Sequence, residues 1–133
     1  MKKGTVLFHP RFEFTDGETG RKFLIILNTP DIKKSQPFLI CKTTSQSKNK
    51  PDAPGCHAQK NLYCIEAGSD FFLKRTWVQF FEIFELNHDE FLMQHFELGL
   101  QARGELKSET INAIVNCIKR SDDVSAYHLS LLN

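Results

Sequence analysis

The strongest constraint on the fold is a β-hairpin pattern that occupies residues 4–27. Three short apolar segments follow one another, at residues 5–8, 12–14 and 23–27. The first two alternate in polarity, and the last is a continuous apolar run, as in strands buried on both faces. Turn-forming residues fill positions 15–20. We therefore predict two core strands joined by a polar tip, with Arg21 and Lys22 where the tip re-enters the sheet.

Short β-rich runs separated by turn signals continue through most of the chain. Further strands are predicted at residues 38–41, 62–65, 76–84 and 96–102. The run at 76–84 is the longest and contains Trp77, Phe80 and Phe81, so we expect a central strand in which these aromatic residues form core contacts and do not stack on bases. The polar segment at 49–61 is long enough to be a functional or mobile loop.

Two helices are predicted in the second half of the chain. Asn87 and Glu90 have the spacing of a capping box, which indicates a short helix through about Gln94. Ser108 begins a longer helix with an apolar stripe along one face, and the apolar tail at 127–132 either completes a sheet edge or docks in a partner. The predicted fold class is mainly β with α: a single domain over residues 1–133 that forms a small SH3-like β-barrel with a short inserted helix and a C-terminal helix.

The charge distribution limits how the protein could bind an anionic partner. The chain has 17 Lys and Arg against 16 Asp and Glu, a net charge of +1, so it has no overall basic field. Basic residues nevertheless concentrate in the first half, whereas acids dominate from Glu66 through Glu109. Any binding of nucleic acid would therefore depend on local clusters of cations in the first half.

The expected cellular compartment follows from the lack of a secretion-signal pattern and of a membrane-span pattern in the sequence. An apolar secretion-signal core does not follow the basic N-terminus, and no apolar run approaches the length of a membrane span, so we expect a cytoplasmic protein with no membrane partner. The four cysteines are then expected to be reduced. Cys56, His57 and Cys64 could ligate zinc, but their spacing fits no standard zinc pattern, and we expect no metal and no other cofactor.

Four parts of the chain together match a known order of motifs. They lie at residues 4–7, at 14–17 with 20–27, at 40–48 and at 104–118. In these segments the chain resembles the MazF/PemK toxin endoribonucleases. The resemblance implies an SH3-like barrel, a homodimer, a cognate antitoxin protein as partner, and metal-independent cleavage of single-stranded RNA in the cytoplasm. Lys22-Phe23 stands where that family has an Arg-Pro pair.

The resemblance also implies two site residues, and residues near them are further candidates. Cleavage without a metal needs proton transfer and a cation that stabilises the charge of the phosphorane. Lys22 takes the position of the catalytic arginine and Thr43 that of the hydroxyl that holds the phosphate, while Glu18 is a candidate for proton transfer. The expected RNA-binding residues are Arg21, Thr44, Ser45, Lys48 and His57. His57, which titrates in the useful range, is a second candidate for proton transfer.

Other interpretations of the same residues stay open. Arg21 and Lys22 could also be solvent-exposed residues at the end of an ordinary strand, and Thr43 could simply end a strand. Because a lysine cannot reproduce the two-pronged contact of arginine with phosphate, a catalytically silent SH3-like module that binds protein or nucleic acid is the alternative function. A small zinc-dependent regulatory protein is the third.

Overall fold

The computed structural model describes residues 1–14 and 16–133 and confirms a mainly β fold with α-helices. The strands are β1 (Thr5–Glu13), β2 (Thr19–Ile26), β3 (Phe38–Thr44), β4 (Gly55–His57), β5 (Leu62–Ile65), β6 (Thr76–Leu86) and β7 (Gln101–Glu105). The helices are α1 (His88–Leu98), α2 (Ser108–Lys119) and α3 (Ala126–Leu131). Thr15, the first residue of the predicted turn, lies outside the described residues.

All seven strands belong to one antiparallel sheet with the order β4-β5-β6-β3-β2-β1-β7. The N-terminal hairpin is confirmed, with Val6 opposite Ile25 and Phe8 opposite Phe23 across β1 and β2. In the described part of the chain β4 and β7 do not pair with each other, so the sheet is open and the SH3-like barrel is not confirmed.

Helices on both faces of the sheet explain why it need not close. On one face, α2 and α3 cover a core that contains Ile25, Cys41 and Val78; on the other, α1 covers a second core that contains Leu24 and Ile40. Because successive strand residues point to opposite faces, the covered parts of the central strands are continuous apolar runs, as at residues 23–26 of β2 and 38–41 of β3. The apolar stripe predicted for α2 is confirmed by its buried residues, Ile111, Ile114, Val115 and Ile118.

Three predictions for the second half of the chain require correction. The capping box is confirmed, because Asn87 Oδ1 accepts from the backbone N–H of Glu90, but α1 continues past Gln94 to Leu98. Gly99, with φ of 81°, ends the helix in the left-handed conformation that glycine tolerates, so the strand predicted at 96–102 begins only at Gln101. The apolar tail does not complete a sheet edge; it folds into α3 and packs against the first core of the same chain.

The expectation that all four cysteines are reduced is wrong. Cys56 of β4 and Cys117 of α2 form a disulfide, while Cys41 and Cys64 are buried free thiols. The zinc interpretation therefore loses Cys56 as a ligand. Disulfides are rare in the cytosol, so the Cys56–Cys117 bond does not agree with the expected cytoplasmic location. Among the residues described, no helix combines the length and the apolar character needed to cross a membrane.

Candidate nucleic-acid interface

A groove of about 1010 Å³ opens at one end of the sheet, beside the core that α2 covers. We call it the basic groove. Four cations line it, namely Arg21, Lys22, Lys74 and Arg103. Its apolar residues include Phe8, Phe23, Phe71, Phe72 and Leu73. None of the described residues that line the groove is acidic, so its charge is entirely positive.

Phenylalanine side chains in mutual contact form the floor of the groove. The ring centroids of Phe8 and Phe23 are 5.2 Å apart, those of Phe23 and Phe71 are 5.7 Å apart, and those of Phe71 and Phe72 are 5.1 Å apart. Phe72 is buried, whereas the other three rings are only partly covered, and Leu73 stands at the rim with 89% of its surface exposed. The floor thus offers aromatic surface to a bound planar group.

The segment that carries Phe71 is held in place by contacts with the start of α2 and with β7. The Asp70 carboxylate accepts a hydrogen bond from the backbone N–H of Lys107 at 3.0 Å and another from that of Phe71 at 2.7 Å. Gly104 of β7 leaves room for the ring, because a Cβ atom there would lie 2.8 Å from Cε2 of Phe71. Arg75, which follows this segment, forms an ion pair with Glu66, in which Nη2 and Oε2 are 3.0 Å apart.

Two of the four groove cations lie close to aromatic rings. The guanidinium carbon of Arg103 is 4.4 Å from the Phe8 ring centroid, and Nζ of Lys22 is 5.7 Å from that of Phe14. Burial lowers the pKa of Lys22, and the positive charges of Lys42 and Lys50 lower it further. Among the described residues, the four groove cations form no ion pair with a carboxylate. Their charge is available to an anionic ligand.

The groove brings together five of the eight residues that the sequence analysis named. They are Arg21, Lys22, Thr43, Thr44 and Ser45. Thr43 is buried, with 4% of its surface exposed, and its Oγ1 donates a hydrogen bond to the carbonyl oxygen of Phe23 at 2.8 Å. The hydroxyl proton is therefore already engaged, while Thr44 is partly exposed and Ser45 is exposed.

The other three named residues lie outside the groove lining. Glu18 is exposed in the turn between β1 and β2, and Lys48 is exposed in the loop after β3. His57 is in β4 at the far edge of the sheet, where its Nε2 lies 2.7 Å from the carbonyl oxygen of Ala53. The two groups proposed for proton transfer, Glu18 and His57, are thus not brought to Lys22.

Sequence reasoning missed several residues of the groove. Phe8 was assigned only to a core strand, and Phe71, Lys74 and Arg103 were not assigned to any site. They come from three separate parts of the chain, so no local spacing connects them. One usable signal was present: the run Phe71-Phe72-Leu73-Lys74 places large apolar residues in a connection that should otherwise be polar.

A second, smaller cavity of about 330 Å³ lies between α1 and the sheet. His9 lines it and has only 5% of its surface exposed. Its Nδ1 accepts a hydrogen bond from the backbone N–H of Arg11 at 3.1 Å, so the proton is on Nε2, which lies 3.2 Å from Oε1 of Gln94. Both ring nitrogens are satisfied, which is typical of a structural histidine.

Comparisons with protein-family models, curated proteins and solved structures found no match to this chain. The geometry of the basic groove is therefore the basis for a functional proposal.

Proposed function

We propose that the protein binds single-stranded RNA in the basic groove. The observation that carries this proposal is the convergence of four unpaired cations and a partly exposed phenylalanine floor in one cleft without a lining carboxylate. Cations that follow the phosphate backbone, combined with aromatic rings on which bases stack, are the usual means of binding a single strand.

The shape and charge of the site favour a single strand over a duplex. The bases of a duplex are stacked inside the helix, so they cannot reach a phenylalanine floor that lies below the rim. The net charge of +1 also gives no broad basic surface for a rigid double helix. Thr44 and Ser45 place hydroxyl groups at the wall of the groove, where they can bond to a ribose 2′-hydroxyl; this supports RNA over DNA.

Binding can be tested by fluorescence anisotropy with a labelled RNA of about 10 nucleotides, within the usual range of single-strand sites. Replacing Lys74 and Arg103 together by Ala should weaken binding by about ten-fold or more, because two phosphate contacts are lost. The matched control replaces Lys119 and Arg120, an exposed Lys and Arg at the end of α2, and should leave affinity unchanged. Failure of the wild type to bind, or equal loss in both double variants, would contradict the proposal.

Cleavage of the bound RNA, as the toxin of a toxin–antitoxin pair, is a second candidate function. Its support is that Lys22 and Thr43 line the same groove, with the Thr43 hydroxyl bonded to the residue that follows Lys22. If the wild type cuts a mixed RNA, Lys22→Ala should slow cutting by about 10²–10³, as expected for loss of one donor to the transition state. Lys22→Arg should retain or raise it, because the guanidinium contacts two phosphate oxygens at once.

Mapping the ends of the RNA fragments gives the readout, and Lys34→Ala, an exposed lysine outside the groove, is the control. If the wild type binds RNA without cutting it, and Lys22→Arg does not cut it either, the protein is a catalytically silent binding module.

A further inference from the structure

Phe81 was expected to pack in the core with Trp77 and Phe80, but it is an exposed aromatic residue inside an internal strand of the sheet. Its strand, β6, lies between β5 and β3, yet 56% of the Phe81 surface is accessible. Gln79 pairs with Lys42 and Phe84 pairs with Ile40, so four residues of β6 stand opposite one residue of β3. Such a bulge breaks the regular alternation of faces and directs a side chain away from the core. The bulge therefore presents the Phe81 ring to solvent.

Cations connect Phe81 with the basic groove. Nζ of Lys42 lies 5.0 Å from the Phe81 ring centroid, within the range of a cation–π contact. Lys42 pairs with Leu24, two residues along β2 from Lys22, so Lys22 and Lys42 are diagonal neighbours on the face of the sheet that α1 covers, opposite the face of Phe23. The charges of Lys42 and Lys50 are close enough to act on Lys22, which itself lines the groove. Lys22, which lines the groove, thus connects it with Lys42 and Phe81 on the other face of the sheet.

We propose that a single RNA strand extends from the basic groove past Lys22 onto Phe81, whose ring stacks one unpaired base while Lys42 binds the neighbouring phosphate. This inference rests on the proposed function, because it assigns a second contact region to the same RNA strand. The occupant is argued from charge complementarity and from continuity with the groove. An exposed phenylalanine next to a lysine is the combination that binds a nucleotide by stacking and phosphate contact.

The inference predicts that the effect of Phe81 depends on RNA length. An RNA of about 4 nucleotides fills the groove alone, whereas one of about 12 nucleotides also reaches Phe81. Phe81→Ala should weaken binding of the longer RNA about five-fold or more and leave the shorter one unchanged, because one stacking contact is lost. Phe81→Trp should preserve binding of the longer RNA, since the indole provides a larger stacking surface. The readout is the affinity for each RNA by fluorescence anisotropy.

Two further variants sharpen the test. Phe96→Ala removes another exposed phenylalanine, 79% accessible on α1, and should change neither affinity. Glu82→Gln removes an exposed negative charge next to Phe81 in the sequence and should strengthen binding of the longer RNA only.

The outcomes separate this inference from the proposed function. If the wild type binds both RNAs and Phe81→Ala binds the longer one normally, the extended path is wrong and the groove remains. Equal weakening for both lengths would also overturn the path, because Phe81 would then act through the groove. If the wild type binds neither RNA, the proposed function fails as well.

Discussion

At the scale of single residues, His9 is the ionisable group whose surroundings are best defined. Burial lowers the pKa of His9, the hydrogen bond with Gln94 opposes this effect, and the charge of Arg11 lowers the pKa further. A proton on Nδ1 would face the backbone N–H of Arg11, which already donates to that nitrogen. The folded state therefore holds His9 in its neutral form.

This arrangement predicts a loss of stability in mild acid. The pKa of His9 in the folded state is below its ordinary value of 6.5. At a pH between the folded-state pKa and 6.5, the unfolded chain therefore binds more protons than the folded chain. The free energy of unfolding should fall as the pH drops through 6.5 towards the folded-state pKa, and the fall should be smaller in His9→Gln. Denaturant unfolding at about pH 7.5 and about pH 5.5 measures it. His88→Gln, at an exposed position, is the control, and identical pH dependence in wild type and His9→Gln would contradict this role.

Residue types in the groove were only partly predictable from the sequence. Arg21 and Lys22 were found because a strand that resumes after a turn fixes where its first side chains lie. Arg103 and Phe71 were not found, because their part in the site depends on contacts between β7 and a distant connection. The Thr43 hydroxyl was expected to hold a phosphate, and only the pairing of β2 with β3 shows that it bonds to the carbonyl oxygen of Phe23.

At the scale of elements, β7 packs directly against the segment that carries Phe71. One methyl group added at Gly104 of β7 should therefore disturb both of them. Gly104→Ala places a Cβ atom 2.8 Å from the Phe71 ring, and the packed phenylalanine floor leaves the ring little room to move. We expect a loss of about 1–3 kcal/mol in the free energy of unfolding, as for overpacking elsewhere. RNA affinity should fall too, because the floor is displaced.

Denaturant unfolding and the RNA anisotropy assay measure the two effects. Ala102→Ser, at an exposed position of the same strand, controls for changes to β7 itself. Unchanged stability and affinity in Gly104→Ala would show that Phe71 is free to move and does not form a fixed floor.

Most elements were predictable because their signals are local. The apolar runs correctly predicted β2, β3 and β6, and the capping box predicted the start of α1. The end of α1 was missed because Phe96 was assigned to a strand, whereas it lies within the helix that Gly99 ends. A strand-like composition does not outweigh a helix that is already capped and propagating.

At the scale of the whole molecule, the closure of the sheet was not predictable from its strands. A barrel and an open sheet can contain the same short apolar strands, and the difference here is that helices cover both faces. The disulfide was missed for a different reason: cysteines were assigned from the expected compartment, while Cys56 and Cys117 are brought together by the packing of α2 against β4.

The Cys56–Cys117 disulfide predicts a large dependence of stability on redox conditions. It links residues 61 positions apart, and the chain-entropy model gives a stabilisation of about 4 kcal/mol for a loop of that size. Adding a thiol reductant should lower the denaturation midpoint of the wild type. Replacing both cysteines by Ser should lower it similarly and abolish any further response to reductant. A wild-type midpoint that does not change while mass analysis shows reduced thiols would contradict this stabilisation.

The last prediction follows from the near-zero net charge of the molecule. With a net charge of +1, long-range attraction contributes little, so the salt dependence of RNA affinity should report the local contacts in the basic groove. For a single strand, the slope of log affinity against log salt is about −0.7 for each phosphate contact. Arg21→Ala should make the slope less steep by about that amount, because one contact is removed. Arg120→Ala removes the same exposed charge at the end of α2, outside the groove lining, and should leave the slope unchanged. Titrations of wild type and both variants at several salt concentrations measure the three slopes. If the wild-type affinity does not depend on salt, the groove cations do not contact the RNA.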